Sequence, residues 1–283
     1  MVSPAGSTPR LRFRLRRPTK ALMLRMVSAA FLLPPTIFAI WVGAPWFDLL
    51  LIGAAGAMGW EWARMTLGPD ARRLGAWALS GGCAAMVAAV ALDTDFLTLG
   101  VLLGTGVLVA PLVSGFSRGK MPTLYTVGFP VIALSCTCWL WLRVMPDGRD
   151  MVLWLMGVVW ATDTGAYFVG RIIGGPRLAP MISPNKTWAG LIGGMTAAGG
   201  IAALIGSSVG GSAGLLAFLG AGLAVVAQTG DLAESALKRH AGVKDSGRMI
   251  PGHGGILDRV DGLMPVALVL VLLSACFGWS LTP

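Results

Sequence analysis

Charge is scarce in this chain. Only 12% of its 283 residues are Asp, Glu, Lys or Arg, against about a quarter in a typical soluble domain. Together with a mean hydropathy of +0.74, that scarcity excludes a water-soluble fold and leaves an integral membrane protein. Cysteine is scarce as well. Cys83, Cys136, Cys138 and Cys276 all lie inside apolar runs, and no second pair or histidine stands near Cys136 and Cys138 to complete a metal site. They read as buried free thiols. No small-x-small cleavage site closes the first apolar run, which continues through Pro34 and Pro35 to Val42; it reads as a retained helix rather than a signal peptide. The chain also lacks an internal repeat of the kind that marks an inverted-repeat transporter. It has no hydrophilic module that could present a basic face, so nucleic acid is set aside as a partner despite a net charge of +9.

What the chain has in quantity is apolar sequence. Runs fall at about 22–43, 46–66, 74–92, 96–114, 123–142, 151–170, 188–206, 212–230 and 262–281, each near the ~20 residues that a membrane-spanning helix needs. The expected fold is an all-α polytopic helix bundle of nine spans. A basic tail at 1–21 carries Arg10, Arg12, Arg14, Arg16, Arg17 and Lys20 and lacks the composition for a core. About five helices follow over 22–149, and a C-terminal membrane region over 150–283 carries most of the polar chemistry. Spans seven and eight are rich in Gly and Ala, which lets helices approach closely, so both are expected inside the bundle rather than facing lipid.

Loop charges set the orientation. With the tail on the cytoplasmic side, every Lys and Arg except Arg143 and Arg149 falls on that side, while Asp93, Asp95, Asp147 and Asp150 lie opposite. Such asymmetry is what the positive-inside rule describes, and it places the N-terminus in the cytoplasm. Anionic lipid headgroups are then the natural partner of the excess positive charge.

Three polar constellations share the cytoplasmic face. Asp163 stands near the end of span six, where an acid beside an apolar span is a functional candidate; a helix-end pair with Arg171 explains it equally simply. The loop from Arg171 to Trp188 carries Arg177, Ser183, Asn185, Lys186 and Thr187 ahead of a new helix. That order suggests a helix N-terminus with exposed N–H groups suited to an anion; an ordinary topogenic loop with a helix cap explains the same residues. The third is Gly230–Asp261, with five acids, five bases and both histidines in 32 positions. If span eight stays helical past Gly230, Asp231, Glu234, Ser235 and Lys238 line one face. Asp258 and Asp261, three apart, open span nine. Carboxylates on two helix ends suit Mg²⁺, Lys238, Arg239, Lys244 and Arg248 suit phosphate, and the glycines of Pro251–Gly255 let backbone approach a ligand closely. Acids for a metal and bases for phosphate describe metal-assisted phosphoryl or nucleotidyl transfer. Glu61, with Arg64 three residues on, reads as a helix-end ion pair.

The residues Ser235-x-Leu237-Lys238-Arg239, Lys244-Asp245 and Pro251-Gly252-His253-Gly254-Gly255-Ile256-x-Asp258-Arg259-Val260-Asp261 resemble the signature of the phosphatidate cytidylyltransferases. Asp163-Thr164-Gly165-Ala166-Tyr167 and Ile182-Ser183-Pro184-Asn185-Lys186-Thr187-Trp188 also resemble segments of that family, in the same order. The likeness covers about 150–265. It departs from the family pattern at Asn185, Ala189 and Gly262, and no role is carried over to those three positions.

The resemblance implies CTP and phosphatidate as substrates, CDP-diacylglycerol and pyrophosphate as products, Mg²⁺ as cofactor and potassium as a second cation. It implies an active site facing the cytoplasm at a bacterial inner membrane, and a homodimer is compatible with it. On this expectation Asp231, Asp258 and Asp261 hold metal, with Asp163 as a further ligand. Lys238, Arg239 and Lys244 neutralise phosphate, and Asp245 and Arg259 complete the catalytic set. Ser183, Lys186 and Thr187 cradle a phosphate, joined by Ser235, Gly254 and Gly255 around the nucleotide. His253 orients phosphate rather than acting as a base, since a phosphate monoester ionised near neutrality needs no deprotonation. Alternatives are a CTP-using relative such as a polyprenol kinase or ether-lipid cytidylyltransferase, or a transporter. A transporter would place polar residues along a path at the bilayer midplane, whereas here polarity collects at one face.

Overall fold

The computed structural model describes residues 20–67, 73–116, 121–208, 210–252 and 254–277. Most of the predicted basic tail, with Arg72, Arg118, Lys120, His253 and the end of the last span, lies outside them. Helices α1 (Lys20–Val42), α2 (Trp46–Leu67), α3 (Arg73–Ala91), α4 (Phe96–Phe116) and α5 (Pro122–Val144) come first. Then follow α6 (Gly148–Ile173), the strands β1 (Arg177–Ala179) and β2 (Ser183–Thr187), α7 (Trp188–Ser208), α8 (Ala213–His240), the four-residue α9 (Leu257–Val260) and α10 (Leu263–Phe277). Each of the nine apolar runs falls on a helix among the described residues. Six of these helices, α3 to α8, are long and apolar enough to cross a membrane. Within α1 and α10 the apolar segments are shorter, Ala30–Val42 and Leu263–Phe277, and α2 carries Asp48, Glu61 and Arg64.

The core runs through α2, α3, α5 and α6, filled by Tyr125, Ile132, Leu142, Trp154 and Leu155. Large amphipathic rings need an acceptor for their polar tip when buried, and each finds a backbone carbonyl. Trp62 Nε1 donates to Leu124 O (2.8 Å), Tyr125 Oη to Gly75 O (2.8 Å) and Trp154 Nε1 to Ala202 O (3.1 Å). At one end of the bundle Arg143 Nε donates to Ile40 O at the close of α1 (3.0 Å), and the Arg149 guanidinium lies 4.5 Å from the Trp41 ring centre. These are the two cations that the charge pattern sets apart from all the others. They sit at the opposite end from the ends of α6 and α8 that carry Arg171 and Lys238.

Small residues form the seam of α6, α7 and α8. A side chain at Gly220 would fall 2.9 Å from the Ala198 carbonyl, so α7 and α8 meet almost backbone to backbone. Only one side of α7 is taken up in this way. It buries Gly190, Gly194, Ala198 and Ala202 and turns Ile192 and Leu204 outward, and α8 likewise exposes Leu215 and Phe218, so the expectation that spans seven and eight lie inside the bundle rather than facing lipid is corrected. A one-sided Gly/Ala stripe gives close packing on one face and leaves the branched face for lipid.

Two boundaries decide where the polar chemistry sits. Helix α8 runs past Gly230 to His240, as the spacing of Asp231, Glu234, Ser235 and Lys238 requires. Ser183–Thr187, by contrast, does not begin a helix. It is a strand paired antiparallel with Arg177–Ala179, with Thr187 opposite Arg177 and Ser183 opposite Ala179. The helix starts at Trp188, and Thr187 Oγ1 accepts the Gly190 N–H (3.0 Å), an internal cap. The expected helix N-terminus thus falls at Trp188, where Thr187 caps it, and the residues before it form a hairpin that carries Lys186 toward α8.

Candidate functional site

On α8 the Ser235 hydroxyl donates to Asp231 Oδ1 (3.2 Å), and Lys238 Nζ donates to Glu234 Oε2 one turn back (2.8 Å). Lys238 also reaches off the helix to Asp258 Oδ1 (2.7 Å). The Glu234, Lys238 and Asp258 side chains are all nearly buried, so the ammonium is compensated by two carboxylates away from water. Asp258 Oδ2 accepts the N–H groups of Gly255 (2.9 Å) and Ser246 (3.0 Å). Burial opposes ionisation of Asp258, but Lys238 and these N–H groups outweigh it and hold the carboxyl below its ordinary range.

A residue from the N-terminal half closes the other side of this loop. Glu61 on α2 is 1% exposed. Its Oε1 accepts the Ile256 N–H (3.0 Å); its Oε2 accepts the Leu257 N–H (3.0 Å) and the Ser246 hydroxyl (3.2 Å). The expected ion pair with Arg64 does not form among the described residues. The glycines of the loop take their meaning from these carboxylates. A Cβ on Gly255 would lie 2.5 Å from Glu61 Oε2, and one on Gly254 would lie 2.7 Å from Asp258 Oδ2. Gly254 also adopts φ +89°, which only glycine takes readily. These two glycines admit protein carboxylates.

A second group of acids lies beside the first. Lys186 Nζ forms an ion pair with Asp231 Oδ2 at 2.6 Å, and an ammonium has three N–H donors, so one carboxylate oxygen does not use them all. Asp163, exposed on α6, lies in the field of Asp231, Lys186 and Arg259. It does not pair with Arg171, which instead donates to Tyr167 Oη (2.8 Å) and stacks over that ring. Asp261 Oδ1 accepts the Gly262 N–H (2.7 Å). Burial, then the neighbouring charges of Asp231 and Glu234, push the Asp261 carboxyl up to about 8. Crowded acids of this kind favour a proton or a cation.

Among the described residues no three His, Cys, Asp or Glu side chains converge into a complete metal cage. Mg²⁺ does not require one, since it retains waters and usually takes one or two carboxylates together with substrate phosphate. Asp231 and Asp261, with Asp163 beside them, fit that demand by donor type and by mutual repulsion. Asp258 has both oxygens on protein donors, so a cation could share it only by displacing Lys238.

On the far side of Asp258, the loop encloses a cavity of about 620 Å³ lined by Lys244, Asp245, Gly247, Arg248, Ile250, Pro251, Gly252, Gly254 and Arg259. Three cations against one acid give it a positive lining, the charge that suits an anion.

The cytidylyltransferase family model matches residues 23–277, nearly all of the described chain. This chain belongs to the cytidylyltransferase family. A phosphatidate cytidylyltransferase of Brucella suis is 41% identical over 268 residues, covering 91% of this chain and 94% of its own length. One of Pseudomonas aeruginosa is 35% identical over 271 residues, covering 90% and 98%. One of Staphylococcus haemolyticus is 48% identical over 129 residues, covering 45% of this chain and 50% of its own.

Within this member of the cytidylyltransferase family, the fold unites Asp163, Lys186, Asp231, Ser235, Lys238, Gly254, Gly255, Asp258, Arg259 and Asp261 at one end of the bundle. Lys244 and Asp245 line the adjoining cavity, and exposed Arg239 turns to Val243 O (3.4 Å). Thr187 is engaged as a helix cap, and Ser183 holds a register position in the hairpin. His253 lies outside the described residues. Sequence reasoning missed Glu61; its one signal was an acid deep in an apolar run.

Proposed function

We propose that this chain catalyses Mg²⁺-dependent transfer of the cytidylyl group from CTP to phosphatidate, giving CDP-diacylglycerol and pyrophosphate, at the cytoplasmic face of a bacterial inner membrane. The observation that carries it is the adjacency of two unlike subsites: the crowded acids Asp163, Asp231 and Asp261 with Lys186 on one side, and the Lys244–Arg248–Arg259 cavity on the other. Substantial identity to phosphatidate cytidylyltransferases over most of the chain supports the same reaction.

The phosphatidate phosphate oxygen attacks the α-phosphorus of CTP, a new P–O bond forms, and the α–β bridge breaks with its electron pair leaving on pyrophosphate. No covalent enzyme intermediate is needed, so catalysis rests on positioning and charge neutralisation. Asp231, Asp261 and Asp163 would hold Mg²⁺, with potassium nearby as the second cation. When bound, the metal supplies positive charge to the polyphosphate oxygens. Lys244, Arg248 and Arg259 receive the triphosphate and stabilise the departing pyrophosphate. Lys186, held by Asp231, turns its remaining N–H donors to the lipid phosphate from the α6 side, where Tyr167 and Phe168 face outward. Asp258 and Glu234 fix Lys238 between the two subsites, where its charge serves the transition state without wandering. The charge asymmetry of the loops supports the cytoplasmic orientation.

The test is to incubate purified protein with CTP, phosphatidate and Mg²⁺ in detergent. CDP-diacylglycerol and pyrophosphate are expected in equal amounts, with none in EDTA. No CDP-diacylglycerol from folded protein would refute the assignment.

A further inference from the structure

Glu61 is placed unlike any scaffold residue on α2. Its carboxylate is buried and, among the described residues, has no cationic partner; a charge so placed is costly unless hydrogen bonds compensate it. The compensation comes entirely from one segment, Ser246–Leu257: the Ser246 hydroxyl and the N–H groups of Ile256 and Leu257. Asp258 grips the same segment at the same two ends, through the N–H groups of Ser246 and Gly255. The two carboxylates therefore clamp the base of the loop from opposite sides. Glycine is required at both ends, because a Cβ on Gly247 or on Gly255 would strike the Glu61 carboxylate. Of the cavity's three cations, Arg248 lies between the clamped ends, and Lys244 and Arg259 flank them. Ser28 on α1 also touches the loop, its single hydroxyl proton shared between Leu24 O (2.7 Å) and Pro251 O (2.9 Å). The N-terminal helices thus reach the loop at the points that set its closure.

We propose that Glu61 is a positioning residue for nucleotide: from α2 it fixes the Ser246–Leu257 loop in the conformation that brings Arg248 into one cavity with Lys244 and Arg259 for the CTP triphosphate. This rests on the transfer reaction proposed above. Glu61 touches no substrate and acts only through the loop.

E61Q keeps the shape but turns an amide N–H₂ toward donors that Glu61 oxygens accept. Losing charge-assisted bonds of this kind raises the KM for CTP by about tenfold or more, while the KM for phosphatidate stays within about twofold. Because KM is independent of the fraction of protein that survives extraction, a mere loss of stability does not mimic this split. Amide hydrogen exchange across Ser246–Leu257 is expected to quicken by about tenfold in E61Q, with that of α6 and α7 unchanged. An unchanged KM for CTP, or equal rises in both KM values, overturns the proposal. If E61Q cannot be purified, S246A removes one of the three donors and is expected to shift the CTP KM the same way by a smaller factor; no shift overturns it. If wild-type protein makes no CDP-diacylglycerol, the reaction assignment fails, and unchanged loop exchange in E61Q or S246A then decides against the lock separately.

Discussion

Replacing Asp258 by Asn separates the two kinds of acid in this site. Asp258 Oδ1 accepts from Lys238 Nζ at 2.7 Å while Oδ2 accepts from Gly255 N and Ser246 N, in a side chain only 6% exposed. An amide retains one acceptor, so either Lys238 or the loop loses its partner. Breaking a buried pair by removing one member costs about 3–5 kcal/mol. Glu234, still 2.8 Å from Lys238, keeps the loss near the low end, about 3 kcal/mol. At ~2–4 °C per kcal/mol for chains of this size, D258N should lower the unfolding midpoint by about 6–12 °C. The sign of the pH effect follows from the depressed folded pKa. The stabilisation by Asp258 is complete above its unfolded pKa of ~3.9 and is lost as pH falls through the lower folded value. D261N should do the opposite. The Asp261 carboxyl sits at about 8, so the metal-free folded state binds a proton that the unfolded chain does not, and stability falls as pH rises from ~4 through that value. Without metal at pH 8.5, D261N should therefore raise the midpoint, even though both variants lose activity. Thermal scans of detergent-solubilised protein in EDTA, at one scan rate, read both effects. A D258N midpoint within about 2 °C of wild type, or shifts of the same sign in the two variants, would refute this electrostatic division.

Further outcomes follow from the same geometry. Mg²⁺ binding at pH 7 should release close to one proton, displaced from Asp261; calorimetry in two buffers of different ionisation enthalpy measures it, and no buffer dependence would count against Asp261 as a ligand. K186M should lower kcat/KM for phosphatidate by about 10–100-fold, with K186R recovering part of it. R248A should raise the KM for CTP by about tenfold and leave that for phosphatidate unchanged; steady-state kinetics distinguishes the two subsites.

The helices were legible because the bilayer demands long apolar runs, and that demand is written locally. The continuation of α8 was legible for the same kind of reason: Asp231, Glu234, Ser235 and Lys238 repeat at helical spacing. What escaped depends on pairing at long range. Ser183–Thr187 becomes a strand because Arg177–Ala179 lies antiparallel to it, whereas its local spacing shows only the helix that begins after it at Trp188. Glu61 was assigned to its neighbour Arg64 because local spacing is all that a sequence displays. Its actual donors, Ser246, Ile256 and Leu257, lie 185 to 196 residues further along the chain. The glycines at 254 and 255 were visible as a demand for close approach, but what approaches them comes from Asp258 and Glu61. Likewise Lys238 was identifiable as a phosphate donor by type, but not as the centre of a buried triad with Glu234 and Asp258.

The most direct measurement follows the label from CTP. Purified protein is given phosphatidate, Mg²⁺ and CTP carrying ³²P at either the α or the γ position, and the lipid fraction is counted. Cytidylyl transfer places the α label in lipid, as CDP-diacylglycerol, and leaves the γ label in pyrophosphate. Gamma label in the lipid, or no label in it from either position, would contradict cytidylyl transfer.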